Sequence, residues 1–331
     1  MQDQAETQRR MWGEKPYRSL DFRLREQFGE KVYKLSLNGG MTCPNRDGTV
    51  GTGGCIFCSA GGSGEFAADR SLSITEQIRW QKEALRKKKP ARKYIAYFQA
   101  YTNTYAPAAY LEKIFTEAIG DDEVAVLSVA TRPDCLPEEV LELLGRLNHK
   151  KPVWVELGLQ TIHPQTARFI RRGYEAVRGL RSRNIEVIVH TILGLPGEGR
   201  KEILETIDYL NRADIQGIKL QLLHILRGTD LGELYLRQMH GARGCDEIPD
   251  ANDAAEQPAI QVLSMDAYID LILDCVVHLS PDITIHRLTG DGPKELLLAP
   301  LWSSKKRTVL NTIHSRMREE AIWQGKYFSE Q

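Results

Sequence analysis

Residues 31–66 read KVYKLSLNGGMTCPNRDGTVGTGGCIFCSAGGSGEF. A β-branched and apolar run, Lys31–Leu37, opens into a loop that carries Cys43, Cys55 and Cys58 at the spacing Cys-x11-Cys-x2-Cys. Nine of the chain's 27 glycines fall between Gly39 and Gly64, which leaves the backbone free to wrap something compact. Three thiolates on one loop can hold three irons of a [4Fe–4S] cluster and leave the fourth iron open. A structural zinc site asks for four closed ligands, usually in two pairs. Here one pair has a single companion, and no histidine precedes His149. A zinc-stabilised binding module without catalysis is therefore the weaker reading. Cys135, Cys245 and Cys275 stand singly and read as ordinary thiols, so one cluster per chain is expected.

Outward from that loop, short apolar runs alternate with stretches whose apolar residues recur every three or four positions. Strands are expected at Lys31–Leu37, Tyr94–Gln99, Val124–Ala130, Val153–Leu159, Glu186–Leu193 and Gly217–Leu223. Helices are expected at Ile74–Lys88, Pro107–Ile119, Pro137–Leu147, Pro164–Arg172 continuing to Arg183, and Lys201–Asn211. Six β–α units in a row make an α/β protein with a parallel sheet, since parallel neighbours need a helix-length crossover. A doubly wound open sheet and a partial barrel both fit, and either places the ligand site at the C-terminal ends of the strands. The pattern divides the chain into an N-terminal extension (1–30), a barrel (31–230), an acidic loop or insertion (240–258) and a C-terminal region closing the barrel (259–331). In the last of these, a helix is expected at Met265–Leu279, a strand at Thr284–Arg287, a turn at Thr289–Pro293 and a final helix near Arg307–Trp323.

Composition sets outer bounds. Of 331 residues, 42% are hydrophobic and 27% charged, as in ordinary globular proteins, and 44 basic residues balance 44 acidic ones. Net charge therefore predicts no bulk affinity for polyanions, only local patches. No run approaches 18 uncharged apolar residues, and the opening MQDQAETQRRMWGEKPY has no apolar centre. A cytoplasmic protein with no membrane association is expected.

The cysteine loop Leu37–Phe66, the lead-in Tyr17–Phe28 and the stretch HRLTGDGPKELLLAPLW (His286–Trp302) together resemble the radical S-adenosylmethionine (SAM) superfamily. Within it they are similar to the YhcC/YtqA-type family related to the Elongator catalytic subunit. The eleven-residue gap departs from the usual Cys-x3-Cys-x2-Cys of the superfamily and is typical of this subfamily. The resemblance covers nearly the whole chain and implies a six-stranded partial (β/α)6 barrel. It also implies that SAM chelates the open iron and is cleaved by one electron to methionine and a 5′-deoxyadenosyl radical. The protein's part would be to orient SAM and one substrate hydrogen and to keep the site dry.

The strand ends supply the other candidates. Phe57, between two cysteines, resembles the aromatic residue that packs on adenine, or else anchors the loop. FQAYTNTYAP (Phe98–Pro107) stands where related enzymes bind the SAM amine, so Gln99 and Thr102 are candidate SAM contacts, with Asn103 facing substrate. In ATRPDC, Arg132 offers a fork for an anion or a partner for Asp134. In VWVELGLQT, alternation puts Glu156, Gly158 and Gln160 on one face, opposite Trp154, Leu157 and Leu159. A buried acid needs a partner, and the resemblance suggests the SAM ammonium or ribose for Glu156, with Gln160 beside it. In VIVHTILGLPGE, Ile192 and Gly194 match an adenine-contact pattern, while His190 faces substrate or the core. His224 and Arg227, after the sixth strand, are candidate substrate contacts.

The resemblance implies tRNA as substrate, with the wobble 5-carboxymethylaminomethyluridine side chain converted to aminomethyl. It further implies a one-electron donor such as flavodoxin or ferredoxin, and a downstream methyltransferase acting on the product. Three basic runs, Arg86–Lys93, Arg168–Arg183 and Lys305–Arg318, could track phosphates, although solvated helix faces are often this basic. Radical SAM chemistry on a small molecule or peptide is the alternative.

Overall fold

Runs rich in Val, Ile, Leu and Tyr, too short for buried helices, form the strands, and the amphipathic runs between them form the helices. The computed structural model of the protein describes residues 10–62, 64–171, 177–241, 258–290 and 292–329. In chain order the first half comprises α1 (Leu20–Phe28), β1 (Val32–Leu37), α2 (Ile74–Arg86), β2 (Lys93–Phe98), α3 (Ala108–Ile119), β3 (Val124–Thr131), α4 (Glu138–Asn148) and β4 (Val153–Gln160). Then come α5 (Pro164–Phe169), α6 (Val177–Arg181), β5 (Glu186–Leu193), α7 (Arg200–Asn211), β6 (Gly217–Leu222), β7 (Ile225–Leu226) and α8 (Asp230–Gly241). The chain ends with α9 (Met265–His278), β8 (Thr284–Arg287), β9 (Leu297–Ala299), a 3-10 turn (Leu301–Ser304) and α10 (Lys306–Glu319).

Seven strands pair in the order β1-β2-β3-β4-β5-β6-β8, every neighbouring pair parallel, in a curled half-barrel. The expected six becomes seven because the four-residue β8 hydrogen-bonds beside β6. Its membership was hidden because no single β–α unit links it to β6. β7 and β9 form a separate antiparallel pair. The helix expected to run from Pro164 to Arg183 is instead two pieces: α5 ends at Phe169, and Arg171 turns left-handed at φ +60°. Most of the acidic stretch at 240–258, with Cys245, lies outside the described residues, as do residues 172–176.

Local chemistry sets the helix starts. At α2, Ser73 Oγ accepts from Glu76 N–H, and the Glu76 carboxylate accepts from Ser73 N–H. Such a reciprocal cap contributes on the order of 1 kcal/mol.

Two apolar clusters follow from strands with two buried faces. The larger lies between sheet and helices and includes Leu35, Leu127, Val155, Val187 and Leu220. The smaller fills the barrel's inside, with Ile95, Tyr97, Val126, Trp154 and Ile188. Trp154 was expected with Leu157 and Leu159, but it packs inward, as two-residue alternation with Glu156 requires. Leu20, Leu24 and Phe28 of α1 join this inner cluster beside Val32, the first residue of β1. Arg23 bonds Glu186, the first residue of β5, and Ile285 N–H donates to Arg18 C=O. Arg18 and α1 thus stopper the end of the barrel where the strands begin, leaving their C-terminal ends for the site.

Candidate active site

The cysteine loop is tied down from several sides. Asn45 Nδ2 donates to Arg171 C=O at 2.7 Å and lies 3.6 Å from Cys55 Sγ. Arg46 donates to the carbonyls of Cys58 (2.9 Å) and Ser59 (2.6 Å). Burial disfavours the Arg46 charge, but the adjacent Cys58 sulfur more than offsets this and holds the guanidinium protonated. Arg171 Nη1 donates to Gly54 C=O at 3.0 Å, and Leu231 N–H donates to Ile56 C=O at 2.8 Å. Gly62, at φ +61°, lets the loop press on Tyr101: a Cβ there would lie 2.2 Å from the ring.

Cys43, Cys55 and Cys58 line one cavity of about 240 Å³ at the C-terminal strand ends. Phe57, Gln99, Thr102, Arg132, Glu156, Gln160, His190, Ile192 and His224 share its wall, so the structure gathers most of the predicted residues. Gln99 Nε2, Gln160 Oε1 and Arg132 Nη1 are buried without hydrogen-bond partners. Orphaned buried groups of this kind each cost about 1–3 kcal/mol. Gln160 and Tyr101 also sit at positive φ, +73° and +60°, conformations that cost non-glycine residues on the order of 1–3 kcal/mol and cluster at functional sites. Among the described residues, no three Cys, His, Asp or Glu side chains converge as one metal ion would need. The arrangement suits a bulkier sulfur-ligated group with a polar ligand beside it.

Glu156 differs most from expectation. Its fully buried carboxylate already has partners: Oε1 accepts from Lys34 Nζ (2.8 Å) and Ser128 Oγ (2.9 Å), Oε2 from His190 Nε2 (2.8 Å) and from Lys219 Nζ. Burial alone would raise its pKa, but Lys219, Lys34 and His190 win and hold it well below the carboxylate range. Burial, then Lys219, pushes His190 down to about 4. The neutral ring therefore donates from Nε2 and keeps Nδ1 as an acceptor. Glu156 is the anion of an internal charge network, not a carboxylate awaiting an ammonium.

Three other candidates are placed elsewhere. Asn103, fully buried, ties the β2 loop to β3 through Nδ2 to Ala130 C=O at 2.8 Å and lines no part of the cavity. Gly194 turns the chain after β5 at φ +88°, and Arg227 is exposed, both off the cavity. Arg132 does reach it, but Nε and Nη2 are committed to Asp134 at 2.8 and 2.5 Å, so its fork is not open to an anion.

The family model described as the radical SAM superfamily matches residues 45–210, and one described as the radical SAM C-terminal domain matches 252–319. The uncharacterised protein YtqA of Bacillus subtilis is 43% identical over 95% of this chain and 94% of its own length.

The chain belongs to the radical SAM superfamily.

Radical SAM enzymes use a [4Fe–4S] cluster and SAM, and the thiol-lined cavity with its orphaned polar atoms fits both. The fold is shared with the archaeal Methanocaldococcus infernus Elp3 lacking its N-terminus (TM-score 0.62, 14% identity), covering 88% of this chain and 64% of that one. A shorter match, 29% identical over 34% of this chain and 22% of the other, is to a protein of Methanocaldococcus jannaschii named tRNA uridine(34) acetyltransferase. Sequence reading of this radical SAM chain missed Lys34, Tyr97, Ser128, Lys219 and Arg287 inside the barrel. Lys34 and Lys219 did carry a signal, since each interrupts an apolar strand (VYKLSL, GIKLQL) as Glu156 does. The turn expected to close the barrel reaches the cavity with Gly290, Gly292 and Pro293, and Gly290 approaches the His224 ring so closely that a Cβ would lie 2.8 Å away.

Proposed function

We propose that this radical SAM enzyme binds one cluster through Cys43, Cys55 and Cys58 and modifies tRNA, converting the 5-carboxymethylaminomethyl group of the wobble uridine to aminomethyl. What supports the chemistry is the single cavity shared by three thiols and the unpaired polar atoms of Gln99 and Gln160. When bound, the cluster and SAM supply one-electron chemistry able to remove a hydrogen atom from an unactivated carbon, here one beside nitrogen. Gln99, Thr102 and Gln160 would hold SAM's polar groups, and Phe57 and Ile192 would flank its adenine. Neutral His190, together with His224, would face the substrate. The apolar groups Ile56, Leu223 and Leu231 beneath the loop keep water from that side.

The name of the tRNA uridine(34) relative and the fold shared with Elp3 support tRNA as the substrate. Phe66, 61% exposed at the cavity, offers an open ring on which a splayed base can stack. The basic run at 86–93 is less useful than its composition suggested. It lies where α2 feeds into β2, at the stoppered end, with Arg86 paired to Glu123 and Lys93 to Glu30. Among the described residues no helix is long and apolar enough to cross a membrane. An electron donor such as flavodoxin or ferredoxin and a methyltransferase acting on the aminomethyl product complete the reading.

The test is anaerobic. Reconstituted protein is given SAM, dithionite and tRNA bearing the 5-carboxymethylaminomethyl group, and 5′-deoxyadenosine and the uridine product are quantified by mass spectrometry. Formation of both, absent in Cys58→Ala, is expected. 5′-Deoxyadenosine that ignores tRNA would redirect the search to a small molecule or peptide.

A further inference from the structure

Among the described residues, the charges inside the barrel do not balance. Glu156 pairs with two cations, Lys34 and Lys219, and Arg287 adds a third positive charge close enough to act on Lys219. Among the described residues the other carboxylate at the cavity is Glu65, which belongs to the cysteine loop and is bonded to Ser59 Oγ. Arg46 is spent on loop carbonyls and Arg132 on Asp134. Arg287, the last residue of β8, lines the cavity in register with Lys219 of β6. Among the described residues no hydrogen bond or ion pair reaches its guanidinium.

A guanidinium fork beside a second cation, in a partly dry cavity, matches the two oxygens of a carboxylate. Without an anion the surplus charge is costly. Burial, Lys34 and Arg287 all act against the charge on Lys219, and the Glu156 carboxylate is what sustains it. An anion between Lys219 and Arg287 would offset the repulsion that Lys219 feels.

We propose that Arg287, backed by Lys219, forms a subsite for a carboxylate carried by the substrate. The proposal rests on reading this cavity as the place where SAM and substrate meet, and it gives the carboxymethyl group a receptor. SAM carries a carboxylate of its own, so the two sources must be separated.

The experiment measures binding to the anaerobic, reconstituted, SAM-loaded enzyme by calorimetry. The probes are N-acetylglycine and its neutral twin N-acetylglycinamide. Wild type should prefer the acid at least tenfold, Arg287→Met should reduce this below twofold, and Arg287→Lys should keep part of it. SAM affinity, measured separately without probe, should stay within twofold in all three. Removing Arg287 strands no partner among the described residues, and Arg287→Lys guards against a folding artefact. No preference in wild type, or a preference unchanged in Arg287→Met, would overturn the subsite. So would SAM affinity lost in step with the preference, which would make the carboxylate SAM's own. A parallel titration compares 5-carboxymethylaminomethyluridine with 5-aminomethyluridine. If only the glycine probes show the Arg287-dependent preference, the subsite stands and the wobble-uridine reading fails.

Discussion

Glu156 and Lys219 meet inside the barrel from β4 and β6, carboxylate to ammonium, with neither side chain more than 4% exposed. Ions this far from water lose several kcal/mol of hydration each, which their mutual attraction and extra hydrogen bonds must offset. Glu156→Gln keeps the shape but leaves Lys219 and Lys34 facing each other. It should cost about 3–5 kcal/mol, read as a lower urea midpoint. Lys34→Met should cost less, because Lys34 is 26% exposed and water already shares its charge. A Glu156→Gln protein as stable as wild type would remove the network from the account of the fold.

The pH response has a definite sign. His190 has a folded pKa near 4 against about 6.5 when unfolded. The unfolded chain therefore binds more protons between those values, and stability rises with pH across that window. The contribution is fully present above pH 6.5 and lost as pH falls through 4. Buried His286 is shifted in the same direction, so the comparison must be with a variant. Urea midpoints from pH 4 to 7 should slope less steeply in His190→Gln, whose amide can still donate to Glu156.

Replacing any one of the three thiols leaves two, too few to hold a cubane on one loop. Cys43→Ala, Cys55→Ala and Cys58→Ala should each lose most of the iron and the broad visible absorbance after anaerobic reconstitution. Global stability of the protein before reconstitution should change little for Cys43 and Cys58, which are partly exposed. Iron retained at wild-type stoichiometry in any of them would exclude that residue as a ligand.

Arg46 shapes the loop without being a thiol. Arg46→Met removes two donors to the Cys58 and Ser59 carbonyls and the cation beside the Cys58 sulfur. The expected result is faster iron loss to a chelator, by severalfold, while the unfolding free energy from urea titration falls by only about 1–2 kcal/mol. Equal rates of loss would show that the other ties hold the loop unaided.

The first six strands were legible to within a residue at each end, because their apolar runs are short, β-branched and separated by helical periods. β8 was legible as a strand, though not as a member of the sheet, since four residues say nothing about which edge they join. The cysteine loop could be read from chemistry that few residue types perform. Glu156 was legible as a buried acid, but its partners were not: Lys34, Ser128, His190 and Lys219 come from four strands spread over nearly 190 positions. The left-handed turn at Arg171 and the split of the helix were hard to see, because isolated glycines at 173 and 179 in an otherwise helix-compatible run are weak breakers.

The late strand sets a schedule for assembly. β8 starts 67 positions after β6 starts, a gap that takes roughly 3–13 s to synthesise at 5–20 residues per second. Through that interval a growing chain holds all three thiols on a half-built shell whose β6 edge is still unpaired. A nascent chain is thus exposed to stray metal and to oxidants before its active site has a wall. Loading of the cluster is best deferred until the chain is released.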